Sequence, residues 1–338
     1  NLHKLTESFS ALCENKSNFE DNLFGGRPST LEIDDFRAQL LHAFEYLGDD
    51  TTVEFALLSK DDLRIDTEQL VSLRGVPREQ YPAYADALAK EMGGLIDLNT
   101  FEVVLDTGEH EKLPTKPIFK VKYKADGSFD KHKARLVVQG FHQKMGQDFF
   151  STFSPMASLT SVRVLLAIAV FLGLAVIHMD VPQAFIQSLI DAFILIKLPK
   201  GIAILGRDGN GKRVPIDLLG KALRLRKSLY GLKQAPQLWN KELTAVLIAL
   251  GFKRLDAESS MYLHKNSETG LWVVVLAEVD DLLITGTDTA FIEQMHQHFV
   301  EKWSVKDWEP ISSFLGINIK YDVPNGVLAM DVGSKINN

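Results

Sequence analysis

Asp280 and Asp281 stand side by side at the end of an apolar, β-branched run, Trp272-Val273-Val274-Val275-Leu276. Such a run reads as a buried strand, which puts the two acids at a strand end, in a turn leading to Leu282-Leu283-Ile284-Thr285-Gly286. A second run, Leu174-Ala175-Val176-Ile177-His178-Met179, ends the same way in Asp180. Three carboxylates on neighbouring strand ends would bind two divalent cations. Mg²⁺ prefers oxygen ligands, and two such ions roughly 4 Å apart clamp the attacking and leaving oxygens of a phosphoryl group. The chemistry would be metal-dependent phosphoryl transfer. Asp is also common in turns, so the pair taken alone equally fits a plain strand end.

The elements that must position these acids can be read from periodicity. A helix is expected over 84–95, then strands over 101–105 and 118–123, a turn at Ala125-Asp126-Gly127-Ser128, and a strand over 134–139. A helix over 159–172 leads into the strand that carries Asp180. A short helix from Pro182, a strand over 193–198 and a helix over 236–250 follow, then strands near 261–263 and 273–277 and a helix over 290–302. Residues 1–85 are polar and mixed in charge, with a helix candidate at 33–47.

Composition bounds the class. The chain has 338 residues, 46% of them hydrophobic, enough for a substantial core and more than one subdomain. A formal charge of −7 argues against a uniformly basic surface, yet the bases are grouped. Lys112, Lys116, Lys120, Lys122, Lys124, Lys131, Lys133, Arg135 and Lys144 form one cluster; Lys221, Arg224, Arg226, Lys227, Lys233 and Lys241 form another. Charge runs are usually solvated faces. The single cysteine, Cys13, excludes an internal disulfide and a cysteine zinc site and makes reduced intracellular surroundings the default. The longest apolar stretch, 162–176, is shorter than a membrane span and reads as a core helix, and no signal peptide is indicated. The Gly-rich piece 206–212 imitates a phosphate-binding loop but has Arg213 where Ser or Thr should hold Mg²⁺, so an exposed turn is expected. His296 and His298 fall on different helical faces and read as surface histidines.

Longer motifs sharpen the acid pair. Met179-Asp180-Val181-Pro182-Gln183-Ala184-Phe185, then Ser228-Leu229-Tyr230-Gly231-Leu232-Lys233-Gln234-Ala235-Pro236-Gln237-Leu238-Trp239, then Val279-Asp280-Asp281-Leu282-Leu283-Ile284-Thr285-Gly286 occur in that order. Lys133-Ala134-Arg135-Leu136-Val137 with Gly140-Phe141, Thr152-Phe153-Ser154-Pro155 and Phe314-Leu315-Gly316-Ile317 accompany them. Over residues 87–321 the chain resembles the reverse transcriptase of copia-type long-terminal-repeat retrotransposons. The resemblance implies an α+β fold, a polymerase palm (a ferredoxin-like antiparallel sheet with helices) with β-rich fingers and a partial thumb. It sets residues 1–85 as an N-terminal extension, 86–321 as the polymerase domain and 322–338 as a C-terminal tail.

The resemblance also implies roles. Asp180, Asp280 and Asp281 would hold two Mg²⁺ ions, with Mn²⁺ as a substitute, Asp180 and Asp280 being the first choices as direct ligands. Ala184 and Phe185 would lie at the nucleotide, the Phe185 ring excluding a 2′-hydroxyl, although a core phenylalanine on a helix fits as well. Tyr230, Gly231 and Lys233 would shape the nucleotide pocket and template contact. Lys133 and Arg135 would meet the triphosphate, or be ordinary edge-strand charges. The implied partners are an RNA template, a DNA primer and deoxynucleoside triphosphates, with no membrane; the implied location is cytoplasmic, in a virus-like particle, or nuclear.

Three departures stand out. Glu278 occupies the position two before Asp280 where the family usually has Tyr; residues two apart on a strand share a face, so Glu278 is expected beside Asp280, with impaired activity as the favoured outcome and a further metal ligand as the alternative. Gln187-Ser188-Leu189-Ile190-Asp191-Ala192-Phe193 replaces a Gly- and acid-rich turn. The chain begins at Asn1 and stops soon after Ile317, which reads as a fragment with an incomplete thumb. The alternative function is a catalytically inactive relic that only binds nucleic acid.

Overall fold

The computed structural model describes residues 59–331, apart from 71–72, 74–75 and 124–126. These residues belong to a compact unit spanning 55–338. The helix candidate at 33–47 and Cys13 lie outside the described residues. In chain order the first half forms β1 (Leu63–Ile65), α1 (Tyr81–Asp97), β2 (Phe101–Leu105), β3 (Lys112–Tyr123), β4 (Phe129–Val138), α2 (Leu159–Leu172) and β5 (Val176–Asp180). Then come β6 (Leu195–Lys197), β7 (Ile202–Arg207), β8 (Arg213–Pro215), β9 (Lys221–Leu225), α3 (Ala235–Ala249), β10 (Lys253–Arg254) and β11 (Met261–Lys265). The last third forms β12 (Trp272–Glu278), β13 (Asp281–Gly286), α4 (Thr289–Trp303), β14 (Glu309–Pro310), β15 (Ser313–Phe314), β16 (Ile317–Asp322) and β17 (Val327–Asp331).

A six-stranded antiparallel sheet, in the order β10-β11-β12-β13-β5-β14, carries the three aspartates. Its central strands are apolar on both faces because helices cover both. Val273, Val275, Ala277, Leu282 and Ile284 pack with Trp239, Leu243 and Leu247 of α3 and Met295, Phe299 and Trp303 of α4. Leu276 and Leu283 point the other way, into a cluster with Val162, Leu165, Leu166 and Ala169 of α2. Each such side chain contributes roughly 1.5–3 kcal/mol by leaving water. The bounds of α2 follow from its ends: Ser158 Oγ accepts from the Ser161 amide at 3.0 Å, and Gly173 terminates the helix at φ 63°.

A five-stranded sheet, β2-β9-β6-β3-β4, lies beside it and ends in the β3–β4 hairpin. Here β3 and β6 run parallel and the other pairs antiparallel. One face of β4, through Ala134, Leu136 and Val138, packs in a core with Leu88, Met92 and Leu95 of α1, leaving Lys133 and Arg135 on the opposite face. Two three-stranded sheets, β1-β7-β8 and β15-β16-β17, complete the unit.

Several expectations shift. The expected boundary at 85/86 falls inside α1 and that at 321/322 inside β16, so neither is a break in the chain's structure. The segment after Pro182 is a single 3-10 turn, Ala184–Gln187. The Gly-rich piece forms the β7–β8 hairpin turn, where Asp208 caps the amides of Asn210 and Lys212 at 2.9 Å. His296 is not a surface residue: it is buried, its Nε2 3.1 Å from the Lys306 carbonyl and its ring against Trp308, because α4 packs that side onto the segment that follows it.

Candidate active site

The β12–β13 connection is a two-residue turn, Val279-Asp280, so the acid pair divides between two environments. Asp280 sits in the turn. Asp281 opens β13, where the register sets it directly opposite Asp180 on β5 and Glu278 on β12. Cross-strand partners in antiparallel sheets have Cα atoms roughly 5 Å apart, so Glu278, Asp281 and Asp180 form a row of carboxylates across three strand ends. The turn is strained and pinned. Val279, a β-branched residue, has φ 54°, and its carbonyl accepts from Trp239 Nε1 at 2.5 Å; the Asp280 carbonyl accepts from the Val181 amide at 2.8 Å.

Glu278 thus lines up with Asp281 across the ladder, with the Asp280 charge still in reach. Asp280 has left the strand, so the two-residue alternation that would align them no longer applies. The Glu278 carboxylate is buried, and its Oε2 accepts from the Ala157 amide at 2.6 Å, in the segment that enters α2. Burial pushes the carboxyl up from its ordinary value, against the Ala157 hydrogen bond, and the charges of Asp281 and Asp280 push the same way. Asp280 is likewise raised, first by burial and then by Asp281 and Asp180, with Arg135 opposing. His178 was not anticipated from sequence. Its Nε2 lies 2.8 Å from Asp281 Oδ1, and that hydrogen bond raises the imidazole above its usual value. Both sit on the same sheet face, two residues apart on adjacent strands, which only the register reveals.

The basic residues approach from the five-stranded sheet. Arg135 places its guanidinium 4.7 Å from the Tyr230 ring centroid, and Arg135 is close enough to lower Asp280 as Asp180 is to raise Lys133. Burial is the main cause that lowers Lys133, followed by the charges of Arg135 and Lys122. The Tyr230 hydroxyl is pushed up to about 12, chiefly by burial and by Glu91, and so stays protonated. Phe185 meets the Tyr230 ring edge-on at 5.7 Å between centroids. Gly231, at φ 89°, passes so close to β4 that a Cβ there would lie 2.1 Å from the Val138 carbonyl oxygen; a side chain is excluded twice over. Lys233 belongs to the same loop, but its Nζ is turned onto the Gln143 carbonyl at 3.2 Å and over the Phe149 ring. Ala184 is buried among Val181 and Trp239, so its methyl packs in the core and does not line the surface.

The fold thus gathers Asp180, Asp280, Asp281, Lys133, Arg135, Phe185, Tyr230 and Gly231 around one edge, while Ala184 and the Lys233 ammonium face elsewhere. Among the described residues, no group of three His, Cys, Asp or Glu side chains already converges as a metal would require. Nor is any helix among them long and apolar enough to cross a membrane.

Residues 98–331 match the family model described as "Reverse transcriptase (RNA-dependent DNA polymerase)". The chain belongs to this reverse transcriptase family. Similar proteins include Pol polyproteins of copia-type retrotransposons. One, from transposon RE1 of Arabidopsis thaliana, is 31% identical over 78% of this chain and 17% of the relative; another, from transposon RE2 of the same plant, is 35% identical over 62% of this chain and 14% of the relative. A third, from transposon TNT 1-94 of Nicotiana tabacum, is 30% identical over 79% of this chain. The chain spans less than a fifth of the length of each of these relatives.

Proposed function

We propose that this chain carries the nucleotidyl-transfer site of an RNA-directed DNA polymerase, which extends a DNA primer on an RNA template with deoxynucleoside triphosphates. In this reading the six-stranded sheet is the palm and the β3–β4 sheet the fingers. The observation that carries it is the register that sets Asp281 opposite Asp180, with Asp280 in the adjoining turn and two cations of β4 in electrostatic reach.

The donor set fits a hard divalent cation: it is all carboxylate, and beyond burial the charges of Asp281 and Asp180 raise Asp280, a repulsion that a cation would relieve. Asp180, Asp280 and Asp281 would hold two Mg²⁺ ions, which when bound lower the pKa of the primer hydroxyl and offset charge on the triphosphate. The protein's own residues do the rest. The pinned Val279-Asp280 turn fixes the backbone beneath Asp280, so that side-chain rotation alone would close the carboxylates on the ions. Arg135 and Lys133 neutralise the triphosphate from the opposite side. The neutral Tyr230 holds Arg135 and Phe185 in place, and the Phe185 ring crowds a 2′-hydroxyl.

The relic reading draws on Glu278 beside the metals: the residue keeps its place opposite Asp281, but one oxygen of its carboxylate accepts from the Ala157 amide. The test is primer extension on poly(rA) primed with oligo(dT), in Mg²⁺ or Mn²⁺, comparing the parent with Asp280→Asn and Glu278→Tyr. Extension by the parent and its loss in Asp280→Asn are expected. Extension that survives Asp280→Asn would refute the metal assignment. Activity restored only in Glu278→Tyr would mark a polymerase disabled at that residue.

A further inference from the structure

Helix α1 precedes the family-matched region, which begins at residue 98, yet one of its acids reaches the nucleotide face. Glu91 lies by the free edge of β4, within electrostatic reach of the Leu136 amide, the charges of Arg135 and Lys133 and the Gln183 side-chain amide, all of which favour its carboxylate against the cost of burial. Its Oε1 is buried with no hydrogen-bond partner among the described residues. Gln183 is itself unusual. It follows Asp180 by three residues, has φ 52°, and opens the 3-10 turn Ala184–Gln187 that carries Phe185. Its amide also rests on α1 one helical turn beyond Glu91, where a Cβ at Gly94 would meet Gln183 Nε2 at 3.2 Å. A non-glycine residue in the left-handed region persists only where its surroundings hold it. Here the surroundings are a carboxylate and a glycine on α1.

We propose that Glu91 and Gly94 form a seat for the Gln183 amide, making Glu91 a positioning residue that sets the Phe185 turn and thereby the choice between deoxyribose and ribose. The assignment rests on the polymerase reading above. It separates from a general electrostatic role because dGTP and GTP carry the same triphosphate. Removing a charge near the phosphates changes both alike and cancels in their ratio, whereas a displaced Phe185 ring changes only the response to the 2′-hydroxyl.

The experiment measures single-nucleotide addition of dGTP and of GTP by the full chain on poly(rC) primed with oligo(dG), for the parent, Glu91→Ala, Glu91→Gln and Gln183→Asn. Asn tolerates the left-handed backbone but is one methylene too short to reach the seat. The preference for dGTP is expected to fall about tenfold in Glu91→Ala and in Gln183→Asn, and to return to within about threefold of the parent in Glu91→Gln, which keeps an acceptor for the amide. Should Glu91→Ala fail to fold, Gln183→Asn and Glu91→Gln carry the comparison. A ratio unchanged within twofold in Glu91→Ala and Gln183→Asn, or as low in Glu91→Gln as in Glu91→Ala, overturns the assignment. The same ratio is read without turnover from displacement of a γ-labelled fluorescent dGTP by dGTP and by GTP. A parent that neither extends primers nor separates the two nucleotides by displacement defeats the polymerase reading itself. A parent that does either, with variants indistinguishable from it, defeats only the role of Glu91.

Discussion

The two large sheets answer opposite charge problems. The six-stranded sheet is covered on both faces and presents like-charged carboxylates at one end of a buried scaffold. The five-stranded sheet ends in a hairpin whose lysines face one another in pairs, Lys120 with Lys133 and Lys122 with Lys131, mostly in solvent. Like charges directly across a ladder are destabilising, and more so where water is scarce. The acids are therefore tied down by Trp239, Val181 and His178, while Lys120, Lys122 and Lys131 are left to the solvent and only Lys133 is half-buried. A site that must hold an ion at fixed distance needs the first arrangement. A surface that must follow a polyanion can use the second.

Four variants test that contrast, in order of decreasing effect. Asp180→Asn should slow single-turnover extension by about 10³-fold while template-primer affinity stays within about threefold, since the acid side works on the reaction and not on the backbone of the nucleic acid. A rate within tenfold of the parent would remove Asp180 from the site. Arg135→Ala should raise KM for the nucleotide about 20-fold with a smaller change in kcat, as expected for loss of a charged hydrogen bond to phosphate. Steady-state kinetics at saturating primer decide it.

The double variant Lys120→Gln/Lys122→Gln should weaken binding to a primed template and lower the slope of log K against log salt by about 1.4 to 1.8. It should also leave the hairpin no less stable, because two cross-strand repulsions disappear. An unchanged slope would mean that these lysines are only a solvated face. The smallest effect concerns Glu258, which anchors the first turn of α2 over the acid-bearing sheet. Burial pushes its carboxyl up, but hydrogen bonds from Ser161, from Ser260 Oγ at 2.7 Å and from the Ser158 and Ser260 amides outweigh it and hold the pKa at about 2. A depressed folded pKa stabilises above the unfolded value near 4.5, and the contribution fades as pH falls towards 2. Glu258→Gln should thus cost under about 1 kcal/mol at pH 7, the group being partly exposed, with the gap closing in acid. Denaturant unfolding at pH 7 and pH 3 measures this; a gap that widens in acid contradicts it.

Much of the fold is legible locally. The ends of α2 follow from Ser158 and Gly173, and the apolar run Trp272–Glu278 reads as a buried strand because both of its faces are covered. The bounds of β3 are less legible: it begins six residues earlier than expected, since Pro114 and Pro117 interrupt a pattern that pairing with β6 and β4 sustains. The site divides in the same way. The acids, Tyr230, Gly231 and Arg135 announce themselves by motif. His178 and Glu91 carry no local signal, being a strand residue and a helix residue whose partners lie 103 residues away in one case and on another element in both.

The sequence by itself determined which groups could do the chemistry: three carboxylates, a pair of cations and an aromatic turn, in the order of a reverse transcriptase. Tertiary structure decided which of them meet. It set Asp281, not Asp280, opposite Asp180, turned Glu278 towards Ala157, and brought Glu91 to Gln183. The reason is the range of the forces involved. Alternation and capping act over a few residues, whereas register between distant strands is fixed only when whole faces are buried together.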